Sequence, residues 1–142
     1  MTTSVPGRPQ LAASAVIFRD SQFLVVRRAN APGRGLYSVP GGRVEYGETL
    51  HQAVAREVRE ETALAIDIVG FAGWREVLPD PAAGRTGHYL VISFAARWRA
   101  GEVTLNEELN DFRWITLDEL DALRTTQGLA EIVAAARRLI AP

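Results

Sequence analysis

The sequence predicts a single α/β (α+β) domain in which a mixed β-sheet is packed between helices. Apolar runs with strand-like alternation are interleaved with helical patterns, but without the regular spacing of βαβ units. The chain has 142 residues, 47% of them hydrophobic and 23% charged, which is typical of one soluble globular domain. We expect a flexible tail over residues 1–10 and one folded domain over residues 11–142.

The first part of the chain predicts a β-hairpin and a glycine-rich connection. Residues 11–18 and 22–28 are apolar runs on either side of a polar turn, so they are expected to pair. Residues 30–35 contain proline and glycine and predict a loop. The short apolar run 36–39 then predicts a strand, which leads to the helix discussed below.

The second part of the chain predicts a strand-rich segment followed by helices. Residues 65–77 are expected to form one or two strands, residues 78–87 a proline-containing loop, and residues 88–99 a long strand that alternates well at its start. The remaining predicted elements are a short strand at 112–115, a short helix at 117–123 and an amphipathic helix at 129–139.

Composition excludes several classes of function. The net charge of −1 argues against general nucleic-acid or membrane binding, and all 16 basic residues are Arg. The absence of Cys excludes disulfides, thiol catalysis and thiolate metal sites. No apolar run approaches the length of a membrane span, and residues 1–10 are too polar for a signal peptide. We therefore expect a cytoplasmic protein with no nucleic-acid or membrane partner; a homodimer stays open.

One helix, predicted at about 49–62, carries carboxylates among its apolar residues. With about 100° of rotation per residue, Leu50 and Val54 fall on one side, and Glu57 and Glu61 fall within the same stripe. Glu60 lies at its edge. Burying an unpaired charge costs several kcal/mol, so these carboxylates need a cation. Carboxylate oxygens suit Mg²⁺, Mn²⁺ or Ca²⁺, which makes a divalent metal the first candidate.

The segment before this helix favours a ligand site over the alternative, a solvated acidic helix paired with its own arginines. Gly41 and Gly42 follow the predicted strand, and glycines allow the backbone to approach a ligand closely. Thr49 is a plausible N-cap for the helix. Glu48 has two open interpretations: a functional carboxylate, or a structural one that binds the loop backbone or Arg56.

The segment from Gly42 to Leu64 resembles the Nudix box, G-x5-E-x7-R-E-U-x-E-E-x-G-U, in which U is a bulky aliphatic residue. Glu48 stands at the required spacing, and the run from Arg56 to Thr62 matches the core of the box. Ala63 departs from the pattern, because the family has glycine there. That glycine normally ends the helix, so Ala63 is expected to adopt a positive φ at a cost of about 1 kcal/mol.

The resemblance implies the Nudix fold and a Mg²⁺- or Mn²⁺-dependent hydrolase that cuts within the diphosphate of a nucleoside diphosphate linked to another moiety. It implies that Glu57 and Glu61 bind metal, with Glu60 as a third ligand and a backbone carbonyl of Gly41 or Gly42 completing the set. Arg56 is expected to orient a carboxylate. Candidate catalytic residues are Glu57, Glu60, Arg56 and Glu108.

The catalytic base and the substrate are less closely specified. In this family the base is a Glu of the box or a Glu in a later loop; many relatives carry a Glu about six residues before a Trp, which here selects Glu108 before Trp114. A solvated acidic loop is the alternative for Glu108. The expected substrate is of the ADP-ribose or nucleotide-sugar type; the alternatives are a (deoxy)nucleoside triphosphate and a non-catalytic nucleotide-binding role. Candidate substrate-binding residues are Arg28, Arg34, Tyr37 and His88.

Overall fold

The computed structural model describes residues 7–31 and 33–140. Most of the predicted tail, residues 1–6, lies outside this range, and Gln10 already begins the first strand. Within the described ranges, no helix has the length and apolarity needed to cross a membrane. The strands and helices are β1 (Gln10–Arg19), β2 (Gln22–Arg28), β3 (Tyr37–Ser38), β4 (Gly41–Arg43), α1 (Leu50–Thr62), β5 (Ala65–Val77), β6 (Tyr89–Ala100), β7 (Leu109–Ile115) and α2 (Leu129–Ile140).

The strands form one mixed sheet. Its main order is β3-β2-β1-β6-β5, with β4 added to β1 and β7 added to β2. The pair β1–β6 is parallel, and the other pairs are antiparallel. β1 and β2 pair only near their turn, at Phe18–Phe23 and Arg19–Gln22. Farther along β1 its neighbour is β4, so the two glycines of β4 become part of the sheet.

The two faces of the sheet are covered by different helices. On the α1 face, Val54 and Val58 of the helix pack with sheet residues that include Phe94. On the α2 face, Ile132 and Val133 pack with residues that include Val16. Both cores consist of aliphatic and aromatic side chains, whose removal from water is the main driving force of folding. The predicted α/β (α+β) class, a mixed sheet between helices, is therefore confirmed.

The observed elements differ from the predicted ones mainly at their ends. β5 is a single strand of 13 residues. Its pairing with β6 contains three register shifts, at which the paired strands bend. β7 begins at Leu109, earlier than residue 112, because its pairing with β2 extends the strand through a polar stretch. The short helix predicted at 117–123 is a 3₁₀-helix, Leu117–Ala122, and a second 3₁₀-helix, Pro81–Ala83, lies in the loop after β5.

Candidate active site

The start of α1 is fixed by a reciprocal cap, which sets the rotational phase of its carboxylates. The Thr49 hydroxyl accepts a hydrogen bond from the Gln52 backbone N–H at 3.1 Å. The Gln52 side-chain oxygen accepts one from the Thr49 N–H at 2.9 Å. This capping box satisfies two N–H groups that the helix cannot pair internally. The predicted N-cap is confirmed.

The end of α1 is set by Ala63, which has φ 65° and ψ 12°. Its N–H donates to the Arg59 carbonyl at 2.9 Å. This left-handed conformation costs an L-residue with a Cβ about 1–2 kcal/mol, and glycine adopts it freely. The positive φ predicted for Ala63 is confirmed, and the helix ends where the family pattern ends it.

The loop after β6 is bonded to this end of α1. The Thr104 N–H donates to the Thr62 carbonyl at 2.9 Å, and the Asn106 N–H donates to the Glu61 carbonyl at 3.3 Å. The Asn106 side chain then accepts from the Glu108 N–H at 3.0 Å. These bonds carry the loop back along the helix and bring Glu108 beside Glu61.

Glu57, Glu61 and Glu108 form a carboxylate cluster. One oxygen of each lies within 4.8 Å of the other two. Glu61 is 6% exposed, and the other two are partly buried. The Gly41 N–H donates to Glu61 Oε1 at 3.1 Å, so β4 contacts the cluster directly. A solvated acidic helix is excluded for Glu61, because water hardly reaches its side chain.

The electrostatics of the cluster favour a bound cation. Burial raises the pKa of Glu61 to about 9, with the charges of Glu57 and Glu108 adding to the rise and the Gly41 N–H opposing it. Burial also raises the pKa of Glu57, although Arg56 opposes that rise. Carboxylates held this close repel one another when ionised, and a divalent ion among them would remove both the repulsion and the cost of burial. Three hard oxygen donors fit Mg²⁺, Mn²⁺ or Ca²⁺.

Arg56 links the acidic residues around the cluster. It forms a two-pronged ion pair with Glu48, at 2.7 Å from Nε and 3.0 Å from Nη2. Nη1 donates to Glu57 at 2.9 Å and to Glu60 at 3.1 Å, and Nη2 donates to the Arg43 carbonyl at 3.0 Å. The guanidinium therefore holds one oxygen of Glu57 in place while the carboxylate faces the cluster. This geometry agrees with an orienting role.

The other two carboxylates on Arg56 lie outside the cluster. Glu48 also accepts from the Glu45 N–H at 2.9 Å, and Arg56 lowers its pKa to about 2. Glu48 therefore makes the contacts expected of a structural carboxylate, which binds the loop backbone and Arg56. The Glu60 side chain is 55% exposed and its carboxylate lies on Arg56. The structure therefore brings Glu108 into the carboxylate cluster and leaves Glu60 at its margin; ligation by Glu60 stays a prediction.

Both glycines of β4 stand where a side chain would collide with neighbouring atoms. A Cβ on Gly42 would stand 2.5 Å from the carboxyl carbon of Glu57. A Cβ on Gly41 would collide with the Ala13 carbonyl and stand 2.6 Å from the Ser14 Cα. The first glycine therefore makes room for β1 and the second for a carboxylate of the cluster. A metal bond from either carbonyl stays a prediction.

Tyr37, a candidate substrate-binding residue, is buried and already hydrogen-bonded. Its hydroxyl donates to Asp111, and burial together with this bond raises its pKa. Arg27 and Arg113 lie over its ring, at 5.6 Å and 5.3 Å from the centroid. Sequence reasoning missed Asp111. The alternation of charged side chains along β7 was an available signal, but only its register with β2 shows the contact with Tyr37.

The other three candidate substrate-binding residues, Arg28, Arg34 and His88, lie in different parts of the fold. Arg28 is half-buried at the end of β2, opposite Leu109, and the next residue's N–H bonds the Glu108 carbonyl at 2.9 Å. The structure thus places Arg28 beside the backbone of the cluster. Arg34 is exposed in the loop after β2. His88 is partly buried before β6, and its carbonyl accepts from the Gln10 N–H at 2.8 Å.

The sequence and the fold were compared with those of known proteins. The family model described as "NUDIX domain" matches residues 8–136. The chain is 32% identical over 115 residues to an ADP-ribose pyrophosphatase of Methanocaldococcus jannaschii, which covers 81% of this chain and 66% of that protein. It is 36% identical over 144 residues to an NAD-capped RNA hydrolase NudC of Stutzerimonas stutzeri, which covers 94% of this chain and 48% of that protein. The chain therefore spans between about half and two thirds of the length of these relatives.

A solved structure is similar over nearly the whole fold. The crystal structure of a MutT NUDIX hydrolase from Burkholderia pseudomallei superposes with a TM-score of 0.80 at 27% identity. The match covers 90% of this chain and 98% of that one. The architecture described above is thus one that a crystallised protein of similar size also adopts.

Proposed function

The chain belongs to the Nudix domain family, and we propose that it hydrolyses a diphosphate bond in a nucleoside diphosphate linked to another moiety. The observation that carries the proposal is the carboxylate cluster of Glu57, Glu61 and Glu108 beside the glycines of β4. A buried group of three acids has no stabilising role of its own, because each ionised member repels the others. It is explained by a function that brings positive charge to this point.

The relatives support the substrate class. One is named an ADP-ribose pyrophosphatase and others are named NAD-capped RNA hydrolases. ADP-ribose and NAD each contain a diphosphate between two moieties, so ADP-ribose, NAD and a nucleotide sugar are the substrates to test first. A (deoxy)nucleoside triphosphate is the competing substrate, and a non-catalytic nucleotide-binding role is the competing function.

We propose Mg²⁺ or Mn²⁺ as the metal, with Glu57 and Glu61 as its ligands. Their oxygens are hard donors one helical turn apart, and Glu60 and a carbonyl of Gly41 or Gly42 are the proposed further ligands. When bound, such an ion supplies neutralisation of the diphosphate and a lowered pKa of water. The residues of the chain then orient the reacting groups and move the proton.

Glu108 is the proposed proton acceptor, and Arg56 positions Glu57. Glu108 belongs to the cluster, so a water molecule between the carboxylates and the substrate lies within its reach. The cluster contains no Ser, Cys or His that could act as a nucleophile, and the chain has neither Cys nor Lys. Water therefore attacks phosphorus directly, and one phosphate leaves. ADP-ribose would give AMP and ribose 5-phosphate.

The test is a panel of ADP-ribose, NAD, a nucleotide sugar and a deoxynucleoside triphosphate, each with Mg²⁺, with Mn²⁺ and with EDTA. We expect metal-dependent turnover of a diphosphate-linked compound, with ¹⁸O from labelled water on a product phosphate. Glu61→Gln should lower turnover by orders of magnitude, and the exposed Glu131→Gln on α2 should not. Turnover of triphosphates alone would establish the competing substrate. Label on a sugar carbon, or no turnover with either metal, would contradict the proposal.

Self-association as a homodimer and a cytoplasmic location stay predictions. Sedimentation velocity at micromolar concentration measures the first, because the described contacts lie within one chain. Fractionation of the producing cells measures the second.

A further inference from the structure

Strand β5 forms one edge of the sheet and has an uncharged middle. It ends the main strand order, so among the described strands it pairs only with β6. The seven residues at its centre, 68–74 (IVGFAGW), carry no charge and include no Pro. Proteins commonly protect an exposed edge with charges or Pro, because a bare edge pairs with other chains. The uncharged run therefore indicates that another strand covers this edge.

The edge at the other end of the sheet has that protection. Within the described ranges, β7 pairs only with β2 and lies at the end of the sheet beyond it. Its one large exposed apolar residue, Phe112, stands between Asp111 and Arg113. Charges of both signs thus interrupt the apolar surface of β7, whereas none interrupts the middle of β5.

Apolar side chains stay exposed on both faces of β5. On the α1 face, Phe71 pairs with the core residue Phe94 and is nevertheless 56% exposed, and Trp74 is 58% exposed. On the α2 face, the exposed Leu139 of α2 lies over the strand, because a Cβ built on Gly70 would stand 3.7 Å from it. A partner at this edge would therefore meet apolar groups above and below the strand.

Arg75, next to the uncharged run, is a partly buried arginine for which the structure shows no ion pair in the described ranges. Its Nη1 donates to the Gln127 carbonyl at 2.6 Å, and its Nε is buried without a hydrogen-bond partner among the described residues. A Cβ built on Gly128, just before α2, would stand 3.9 Å from the Arg75 Cδ, so the side chain lies on the α2 face. A buried charge of this kind is stabilised by a carboxylate.

Asp67 stands at the other end of the run and on the same face as Arg75. It pairs with Arg97 of β6, whose guanidinium bonds the Ile140 carbonyl of α2 at 3.4 Å. Its carboxylate is exposed and lies 3.2 Å from the Nε of Arg99. The run is thus bounded by an acid at its start and a base at its end, both on the α2 face.

These two charges match those of a second copy of the chain. β5 extends from residue 65 to residue 77, so Phe71 is its central residue, and Asp67 and Arg75 are each four residues from it. An antiparallel pair of β5 strands about a two-fold axis at Phe71 places Asp67 of each copy opposite Arg75 of the other. Directly opposite residues share a face, with Cβ atoms about 4.5–5.5 Å apart. Each Arg75 would then receive a carboxylate from the other copy.

The same axis brings the apolar side chains together. Phe71 of one copy lies opposite Phe71 of the other, and Trp74 lies opposite Ile68, all on the α1 face. On the α2 face, Leu139 lies over Gly70, beside the axis, and approaches Leu139 of the other copy. Two register shifts with β6 fall within the run and interrupt a regular ladder, so these side-chain pairs fix the alignment more than backbone hydrogen bonds do.

The contact has the size that a specific interface needs. A strand of 13 residues is about 43 Å long, and a sheet edge about 10 Å thick then presents about 400 Å² per copy. The exposed parts of Phe71 and Trp74 add about 200 Å², since a whole aromatic side chain has about 150–250 Å². Two copies would bury about 1,200 Å² in total, which is the lower limit of the standard interface size.

We propose that a second copy of this chain docks on β5, edge to edge and antiparallel, with Phe71 on the two-fold axis and Asp67 paired with Arg75 of the other copy. This gives the expected homodimer a defined interface. The proposal does not rest on the proposed hydrolysis, because none of these residues belongs to the carboxylate cluster.

The first test measures association without substrate. Sedimentation velocity of the wild type at micromolar concentration should show a dimer. Phe71→Lys places two like charges on the axis, and Asp67→Lys places a cation opposite Arg75, so each should weaken the dimer at least about tenfold. Phe112→Lys, at the exposed aromatic residue of the other edge strand, is the matched control and should dimerise like the wild type.

The second test locates the axis by crosslinking. The chain has no Cys, so Phe71→Cys introduces a single thiol. Opposite residues of an antiparallel pair lie within the Cα separation of a disulfide, about 4.4–6.8 Å, and mild oxidation should link the two copies. Phe112→Cys should stay uncrosslinked under the same conditions.

The two tests together decide the proposal even if one variant fails to fold, because Asp67→Lys changes an exposed side chain and Phe71→Cys adds no charge. A monomeric wild type would overturn the proposal and leave the edge of β5 to a different protein. A dimer that persists in the folded Phe71→Lys and Asp67→Lys variants would also overturn it. So would crosslinking of Phe71→Cys that is no greater than that of Phe112→Cys.

Discussion

Replacement of Glu61 by Gln should stabilise the metal-free protein. Glu61 is 6% exposed, and its pKa in the folded state is about 9 against an ordinary value of 4.5. The unfolded chain therefore releases a proton above pH 4.5 that the folded chain holds until pH 9. The stability associated with this proton is complete below pH 4.5 and is lost as the pH rises toward 9.

The expected magnitude follows from the interval between the two pKa values. Each pH unit between them costs about 1.4 kcal/mol, so at pH 7 the carboxylate destabilises the fold by about 3 kcal/mol. Gln resembles the protonated acid in shape and keeps an oxygen that can accept from the Gly41 N–H. Glu61→Gln should recover most of this free energy, which corresponds to a rise in Tm of roughly 10 °C in a chain of this size.

The measurement is urea unfolding in EDTA from pH 5 to pH 8. The difference between Glu61→Gln and the wild type should grow with pH. Glu60→Gln is the matched control, because Glu60 lies on the same helix with its carboxylate exposed on Arg56, and it should change stability by less than about 1 kcal/mol. Addition of Mg²⁺ should raise the Tm of the wild type more than that of Glu61→Gln. A variant that is no more stable than the wild type at pH 7, with no dependence on pH, would refute the reasoning.

Three further substitutions test the helix end, the base and the glycine turn. Ala63→Gly should raise the free energy of unfolding by about 0.5–1 kcal/mol, because relief of the left-handed strain exceeds the entropy that glycine adds to the unfolded chain; thermal melts measure it. Glu108→Gln should lower kcat far more than KM, since proton removal belongs to the transition state. Gly42→Ala should lower kcat/KM by about tenfold or more with little loss of stability, because the new methyl group displaces only the flexible end of Glu57.

Each of these three substitutions has a control variant. Ala55→Gly, at an exposed site inside α1, should destabilise by about 1 kcal/mol, and a similar fall for Ala63→Gly would show that its conformation is not strained. The exposed Glu107→Gln should leave kcat unchanged; an equally unchanged Glu108→Gln would return the base to the Nudix box. Gly70→Ala meets only an ordinary contact and should keep full activity, and full activity in Gly42→Ala would argue against crowding of the carboxylate.

Local patterns were enough to predict α1 and the placement of Glu57 and Glu61 on its inward face. The cap at Thr49, the left-handed Ala63 and the inward phase of Glu57 and Glu61 follow from residues within one segment, where spacing along the chain determines spacing in space. Glu108 was reached only through a family spacing, because its position depends on hydrogen bonds between the loop after β6 and the end of α1.

Features that depend on sheet register could not be predicted from the sequence. The contact of Tyr37 with Asp111 requires β3 and β7 to lie on the two sides of β2. The pairing of β5 with β6 also has three register shifts, and the two that insert an extra residue in β5 change the side to which its following residues point. No periodicity in the sequence encodes these shifts, so residues on that strand could not be assigned to a face.

The hydrogen bonds that attach the loop after β6 to α1 also make the position of Glu108 depend on the length of that loop. Because the amides of Thr104 and Asn106 are bonded to the last carbonyls of the helix, the number of residues from there to Glu108 fixes where that carboxylate arrives. An insertion or deletion of one residue in this stretch would carry Glu108 past the cluster, however conservative its chemistry. The loop after β5 is closed by backbone hydrogen bonds between Asp80 and Arg85, and its length does not set the position of a cluster residue. Natural and engineered length variation should therefore accumulate in the loop after β5 and be absent from the loop after β6.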